Sequence, residues 1–501
     1  MALRAGVRPL VKGLVRRNSI LTSTTNPGAY VLDPSSDVSQ FSKAQLVNHG
    51  ELEDGVIPEA LKYTRPFHLT TLNNGLKVAC EPSTSQLAHL SLVVKAGVRN
   101  EQFEYSGINH FTKKLRWRGT ENRSKIQLAG DLENIGAWLH TSPGRETTTI
   151  HLTVPKEHLS KGVEILADVA LRGKFNKNAV EEQREDSLSQ LRDTSDHQKF
   201  ILENSHYTAF RDHMFGQPIR GNHKSINNIS SESIKEFVDT HYVGSRMSLV
   251  GVGGVDPSVL SDLAEKHFGK VPKNAGEVSG EETPVFTPST IQIRDDDVDM
   301  AHCGIFYLAP GWNHEDYFAF QLLQRIMGEY KPERDSKINH PHLQYNNLHK
   351  WLGEMEDFGG HNSYYCSYSD VGLFGHYAAS LDMSAYLVPH SLLKATRKVT
   401  GLVMESEMYR ARNKYYNQLL SPQSLGDLAN EIGHQLTFAN RRIPRSEVAK
   451  RISCLNNRHL EKTYAKWLWD TELAITFYGP IFTQIRMYEI WRGYTNDSNQ
   501  I

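Results

Sequence analysis

Imidazoles and ammonium groups are the side chains here with the most chemistry to offer, and their spacing limits what they could do. In YSGINHFTKKLRWRGT, His110 is followed by Lys113 and Lys114 at the helical offsets i+3 and i+4, so the three share one helix face. Two lone-pair donors one turn apart could hold a metal ion, and a carboxylate at i+3 could take a proton from its bound water. Only His110 is an imidazole, and an ammonium has no lone pair to give. Taken alone, His110 reads as an ordinary helix histidine. His206, His213, His223 and His241 gather in one region at spacings that match no metal pattern. INHPHLQYNNLH collects His340, His342 and His349 and reads as an exposed polar loop. Cys80, Cys303, Cys366 and Cys454 lie far apart with no C-x-x-C pair, so the reading is isolated reduced thiols rather than a zinc knuckle or redox motif.

These side chains need elements to position them. The 501 residues exceed what one hydrophobic core supports, so at least two domains are expected. With 39% hydrophobic and 23% charged residues the chain belongs with folded globular proteins. Fifty-six basic and 57 acidic residues leave a formal charge of -1, which offers no global field for nucleic acid or an anionic membrane. No stretch approaches the roughly 20 apolar residues needed to cross a bilayer, so membrane association would run through other proteins. The start, MALRAGVRPLVKGLVRRNSILTSTTN, carries Arg4, Arg8, Lys12, Arg16 and Arg17 on one helical stripe, Leu3, Val7, Leu10 and Leu14 on another, and no acid before Asp33. That pattern is what a mitochondrial transit peptide needs, and residues 1–42 are set aside as the expected address and flexible N-terminus.

Beyond it the chain echoes itself. LSLVVKAGVRNE and GIFYLAPGWNHED each end a strand at a glycine, Gly97 or Gly311, before a helical stretch. LENIGAWLHTSPGRETTTIHLTV and MEDFGGHNSYYCSYSDVGLFGHYAAS each read as a helix end at Gly136 or Gly359, a β-hairpin and an alternating strand. LSKGVEILADVAL and AYLVPHSLLKATRKV come next as amphipathic helices. SRMSLVGVGGVDPSVLSDLAEKHFG and TELAITFYGPIFTQIRMYEI close each half with a buried strand and a helix. Four pairs in the same order predict two α+β domains with mixed sheets, over 60–272 and 293–501. KNAGEVSGEETPVFTPST, rich in Gly, Pro, Ser, Thr and acids, predicts an exposed linker over 273–292.

YSGINHFTKKLRWRGT resembles the active-site helix of the inverted-zincin peptidases, the pitrilysin, insulin-degrading enzyme and mitochondrial processing peptidase family, which carries H-x-x-E-H. TSPGRETTTIHLTVPKEHLSKGVEILADV, HYTAFRDHMFGQPIRGNHKSI, FVDTHYVGSRMSLVGVGGV and LAEKHFGKVP are similar to the segments C-terminal to that helix in processing peptidases and core proteins. APGW, YSDVGLFG, NRRIP and YGPI resemble the partner domain, so the likeness covers roughly residues 60 to 495. On this resemblance the first ligand position is His110, the general-base position Lys113, the second histidine position Lys114 and the distal carboxylate position Gln190. A unit charge about 5 Å from a dication is repelled by roughly 6 to 7 kcal/mol at an effective dielectric of 20. The expectation is therefore neither zinc nor peptide cleavage. The family's substrate-holding edge strand carries an Asn-Ala pair where this chain has His140 and Thr141, which puts a retained peptide groove in doubt. INHPHLQYNNLH stands where the non-catalytic α subunit of processing peptidase carries a glycine-rich loop, and no such run exists here.

The resemblance implies a non-catalytic core subunit of mitochondrial complex III, peripheral to the matrix side of the inner membrane. It would pair with a second core protein and meet the cytochrome b, cytochrome c1 and Rieske subunits, with no cofactor of its own. A presequence-binding, non-catalytic subunit of a processing peptidase is the competing implication.

Overall fold

The computed structural model describes residues 57–191, 195–274, 276, 278, 280–331, 348–349, 358–381, 387–401 and 403–481, together with the two-residue strand Tyr30–Val31. That strand pairs antiparallel with Tyr63–Thr64; the rest of the stretch read as a transit peptide lies outside the described residues.

The first half builds a six-stranded mixed sheet from β1 (His68–Thr71), β2 (Lys77–Pro82), β3 (Leu87–Val94), β4 (Trp138–Pro143), β5 (Thr148–Pro155) and β6 (Met247–Gly253), in the order β1-β2-β6-β3-β5-β4. Only β2 and β6 run parallel. Its helices are α1 (Ile108–Leu115), α2 (Lys125–Asn134), α3 (Leu159–Leu171), α4 (Lys177–Gln190), α5 (His197–Ala209), α6 (His223–Asn228), α7 (Ser231–His241) and α8 (Pro257–Phe268). The second half has β7 (Thr290–Arg294), β8 (Ala301–Pro310), α9 (Tyr317–Met327), β9 (Phe358–Ser367), β10 (Val371–Ser380), α10 (Leu387–Gly401), α11 (Glu405–Leu420), α12 (Leu425–Ala439), α13 (Arg445–Ser453), α14 (Asn457–Trp467) and β11 (Ala474–Gly479). Its sheet order is β9-β10-β8-β11-β7, again with one parallel pair, β11 with β7.

Setting β2, β3, β4, β5 and β6 against β7, β8, β9, β10 and β11 makes the two sheets topologically the same, with β1 as an addition. The repetition legible in the sequence is thus a repetition of strand order. Two details differ. Gly359 lies inside β9, at a register shift between Phe358 and Gly360, rather than at a helix end. The helix expected after YGPI lies outside the described residues.

Strand periodicity explains the core. In β3, Ala88, Leu90, Leu92 and Val94 face a core shared with Ile150, Leu152 and Val154 of β5 and with Val163, Leu166 and Leu260 of α3 and α8. Both faces of this sheet are covered, so β6 is buried at every position. The second cover comes from the other half. Leu428, Ala429, Ile432 and Leu436 of α12 pack on Ala79, Val250 and Val252. Gly433 permits this approach, since a Cβ there would stand 2.3 Å from Val93 Cγ2. The exchange is mutual: Ile201 of α5 packs with Tyr377 and Tyr478 of the second sheet. Each half lends a helix to the other.

The linker is anchored as well as exposed. Arg99 Nε donates to the Gly280 carbonyl at 2.6 Å, and Glu281 pairs with Lys95 and Arg246 at 2.7 and 2.8 Å. β7 already begins at Thr290, inside the stretch read as linker.

Candidate functional site

Helix α1 presents the expected residues. Gly107, with φ of 88°, turns the chain into it, and the Glu101 carboxylate accepts the N–H groups of Gly107 and Asn109 at 2.7 and 3.0 Å. Those bonds satisfy donors that a helix start leaves open. Burial pushes the Glu101 carboxyl up to about 8 against these bonds and Arg145. Ile108, Phe111 and Leu115 turn into the core, and His110, Lys113 and Lys114 stay partly exposed.

Opposite lies α4, and the contact between the helices is electrostatic. Lys114 Nζ meets Asp186 Oδ2 at 2.7 Å, and Arg118, just after α1, pairs with Glu182. Lys114 and Arg118 are four residues apart, as are Glu182 and Asp186, so the helices meet as two rungs of opposite charge. Gln190, at the last position of α4, points its amide at Asp186, with Nε2 3.3 and 3.4 Å from the two carboxylate oxygens. Buried Gln183 donates to Asp186 at 3.1 Å, and Arg220 donates to the Gln190 carbonyl at 3.0 Å. The structure thus joins Lys114 and Gln190 through Asp186, a residue that reading by motif passed over. The matched i, i+4 charges on the two segments were the available signal.

His110 is neutral in this setting. Burial first, then Lys113, Lys114, Arg220 and Lys199, depress its imidazole to about 4. Lys113 is lowered by burial and by Lys114 and Lys199. The Asp186 carboxyl is held below its usual range by the Lys114 hydrogen bond first. One neutral imidazole, an ammonium committed to a carboxylate and an amide are what His110, Lys114 and Gln190 offer, fewer donors than a zinc site takes from side chains.

Beside α1 runs β4, the edge of its sheet. His140 faces His151 across the pair, and the half-exposed ring stacks on Trp138 with centroids 5.6 Å apart and planes within 3°. Thr141 is buried. His140 is lowered by burial and by Lys113, which puts that ammonium within electrostatic reach of the edge strand.

Most of the other histidines singled out by spacing take structural places. His206 bonds the Leu202 carbonyl and the Tyr368 hydroxyl, both at 2.7 Å, and so ties the halves together. His213 Nδ1 accepts the Phe215 N–H at 3.0 Å, and His241 is buried against Phe237. His223 opens α6. His340 and His342 lie outside the described residues; His349 packs on Tyr330 at 4.5 Å. The four cysteines are free thiols. Among the described residues, one group brings three metal-capable side chains within 4.8 Å: His314, Glu315 and Asp316, at the start of α9. There Asp316 is already bound by Lys466 at 2.9 Å and by Trp467 at 2.8 Å.

Against this geometry the comparisons with known proteins are consistent. Residues 77–223 match the model described as Insulinase (Peptidase family M16), and residues 228–415 match Peptidase M16 inactive domain. The mitochondrial-processing peptidase subunit beta of Homo sapiens is 30% identical over 435 residues, spanning 84% of this chain and 87% of that protein. The chain belongs to the M16 peptidase family. The same subunit of Neurospora crassa is 31% identical, over 82% of this chain and 87% of its own length. A chain in the structure of complex III2 from Candida albicans, with Inz-5 bound, shares the fold with a TM-score of 0.72 at 20% identity. It covers 85% of this chain and 99% of the other. The M16 match confirms two homologous α+β halves, each a mixed sheet packed with helices.

Proposed function

We propose that this M16 chain is a non-catalytic core subunit of mitochondrial complex III, acting as a scaffold on the matrix side. The observation that carries the reading is the Lys114–Asp186 ion pair with Gln190 beside it, at the positions the resemblance assigns to a second imidazole and a carboxylate. Returning Lys114 to a donor would mean removing its proton and breaking that pair, against a normal pKa near 10.4. Lys113 leaves no base for water activation, a loss that typically costs 10²–10⁴ in rate. The relatives are beta subunits, the fold is shared with a chain of complex III, and a beta-type chain without the zinc constellation fits a structural place in that assembly. Among the described residues no helix is long and apolar enough to cross a membrane, which fits attachment through partners. Those partners would be a second core protein, cytochrome b, cytochrome c1 and the Rieske subunit. The basic N-terminus would direct the chain to mitochondria.

A second reading draws on the relatives' own names: a non-catalytic subunit of a processing peptidase, with another chain supplying zinc. Native gels of mitochondria in mild detergent separate the two. Co-migration with the haem absorbance of b- and c-type cytochromes is expected; migration apart from haem in a small heterodimer would replace the core reading with the second one.

A further inference from the structure

The seam between the halves holds a cavity of about 560 Å³. The turn between β4 and β5 and Thr149 line it from the first half; α11, α12, α13 and the segments bearing Trp312 and Tyr368 line it from the second. Small-molecule sites have this size and favour the interfaces between domains. Its apolar wall is largely aromatic. Trp312 and Phe438 meet edge to face with centroids 6.0 Å apart, and Tyr317, Tyr368 and Tyr415 extend the wall. Such a wall takes a flat ring by offset or edge contact.

Four charged side chains line the cavity, and three of them are compensated. Arg145 pairs with Glu203 at 3.0 Å, Glu146 with Arg99 at 3.1 Å and Glu431 with Arg442 at 2.6 Å. Arg445, the fourth, donates to two neutral oxygens, the Leu419 carbonyl at 2.6 Å and Gln423 Oε1 at 2.5 Å. Glu431 reaches it only through Gln423, whose amide donates to that carboxylate at 3.1 Å. Besides burial, the groups acting on Arg445 are Glu431 and Glu81 against Arg65 and Arg442, which balance and leave its own charge over. His434, also in the lining, is neutral because burial depresses it to about 4.

We propose that this cavity binds a ring-bearing monocarboxylate, its ring against Trp312 and Phe438 and its carboxylate on Arg445. The planar guanidinium matches a carboxylate in shape as well as charge. A neutral ligand would leave the half-buried cation uncompensated, and a cationic one would set like charges together. The inference stands apart from the zinc-free reading, since the cavity and α1 share no residue.

The test is calorimetric titration of the purified full-length chain with naphthylacetate and with its neutral isostere naphthylacetamide. The acid is expected to bind at one site per chain, at least about tenfold tighter than the amide. R445Q should erase that preference, R445K should keep part of it, and W312A should weaken both ligands. Equal binding of acid and amide would overturn the proposal, as would a preference unchanged in R445Q or affinities unchanged in W312A. If R445Q loses both ligands, as a collapsed cavity would, R445K decides: a kept preference for the acid supports the assignment, and a lost one overturns it.

Discussion

Lys114 and Asp186 do together what a shared metal ion would do between two helices: they put a positive charge in the gap and hold a carboxylate to it. The bond is short, but the Asp186 side chain is 49% exposed, so solvent screens it. K114M should therefore cost little, roughly 0.5 kcal/mol in urea unfolding. Because Asp186 is held below its usual range, its contribution is complete above about pH 4 and fades as pH falls through the native value. The K114M deficit should accordingly shrink in acid, and a deficit that grew would refute the pairing. At this scale the sequence disclosed the residue types at the motif but not their partner. Asp186 meets Lys114 because α1 and α4 settle in one register, and register between helices is set by tertiary packing that local spacing does not report.

Two elements contribute most visibly to holding the halves together. Helix α12 comes so close to the first sheet that an added methyl at Gly433 would overlap Val93, at 2.3 Å from Cγ2 and 3.2 Å from Cβ. G433A should cost about 1–3 kcal/mol, the range for overpacking, read as a lower denaturation midpoint. The loop after β3 supplies the second tie. Arg99 is buried, pairs with Glu146 at 3.1 Å and Asp370 at 2.7 Å, and donates to the linker carbonyls of Gly280 and Glu282. R99M would strand Glu146 in the interior at about 3–5 kcal/mol and free the linker. Limited proteolysis should then cut near residues 280–289 well before the intact protein is cut; an unchanged digestion pattern would show the linker held by other means. The repeated succession of strands and helices in the two halves was legible because apolar runs and their glycine ends recur in sequence. The exchange of α5 and α12 was not. Periodicity shows that a helix has an apolar face, and it is silent on which sheet that face will cover.

Across the whole molecule, several buried or half-buried histidines line the seam between the halves, and others lie inside one half. His89 and His151, with nitrogens 3.3 Å apart, lie on the sheet face under α12, near Asp427, and His434 of α12 approaches Thr147 at 3.4 Å. Burial depresses His89, His151, His302 and His434 to about 4, and His376 to about 3. Unfolded imidazoles take up protons near 6.5, so between about pH 6.5 and 4 the unfolded chain binds more protons and native stability falls as pH falls. The melting temperature should drop on the order of 5 °C from pH 7.5 to 5.5. H89Q/H434Q should flatten that slope, and a slope unaltered by the pair would locate the acid sensitivity elsewhere. Whether this two-half M16 scaffold has exchanged its zinc for an ion pair is decided by metal analysis of the purified full-length protein after equilibration with zinc and desalting. Far less than one equivalent should be retained; one tightly held equivalent per chain, lost on replacing His110, would contradict the exchange.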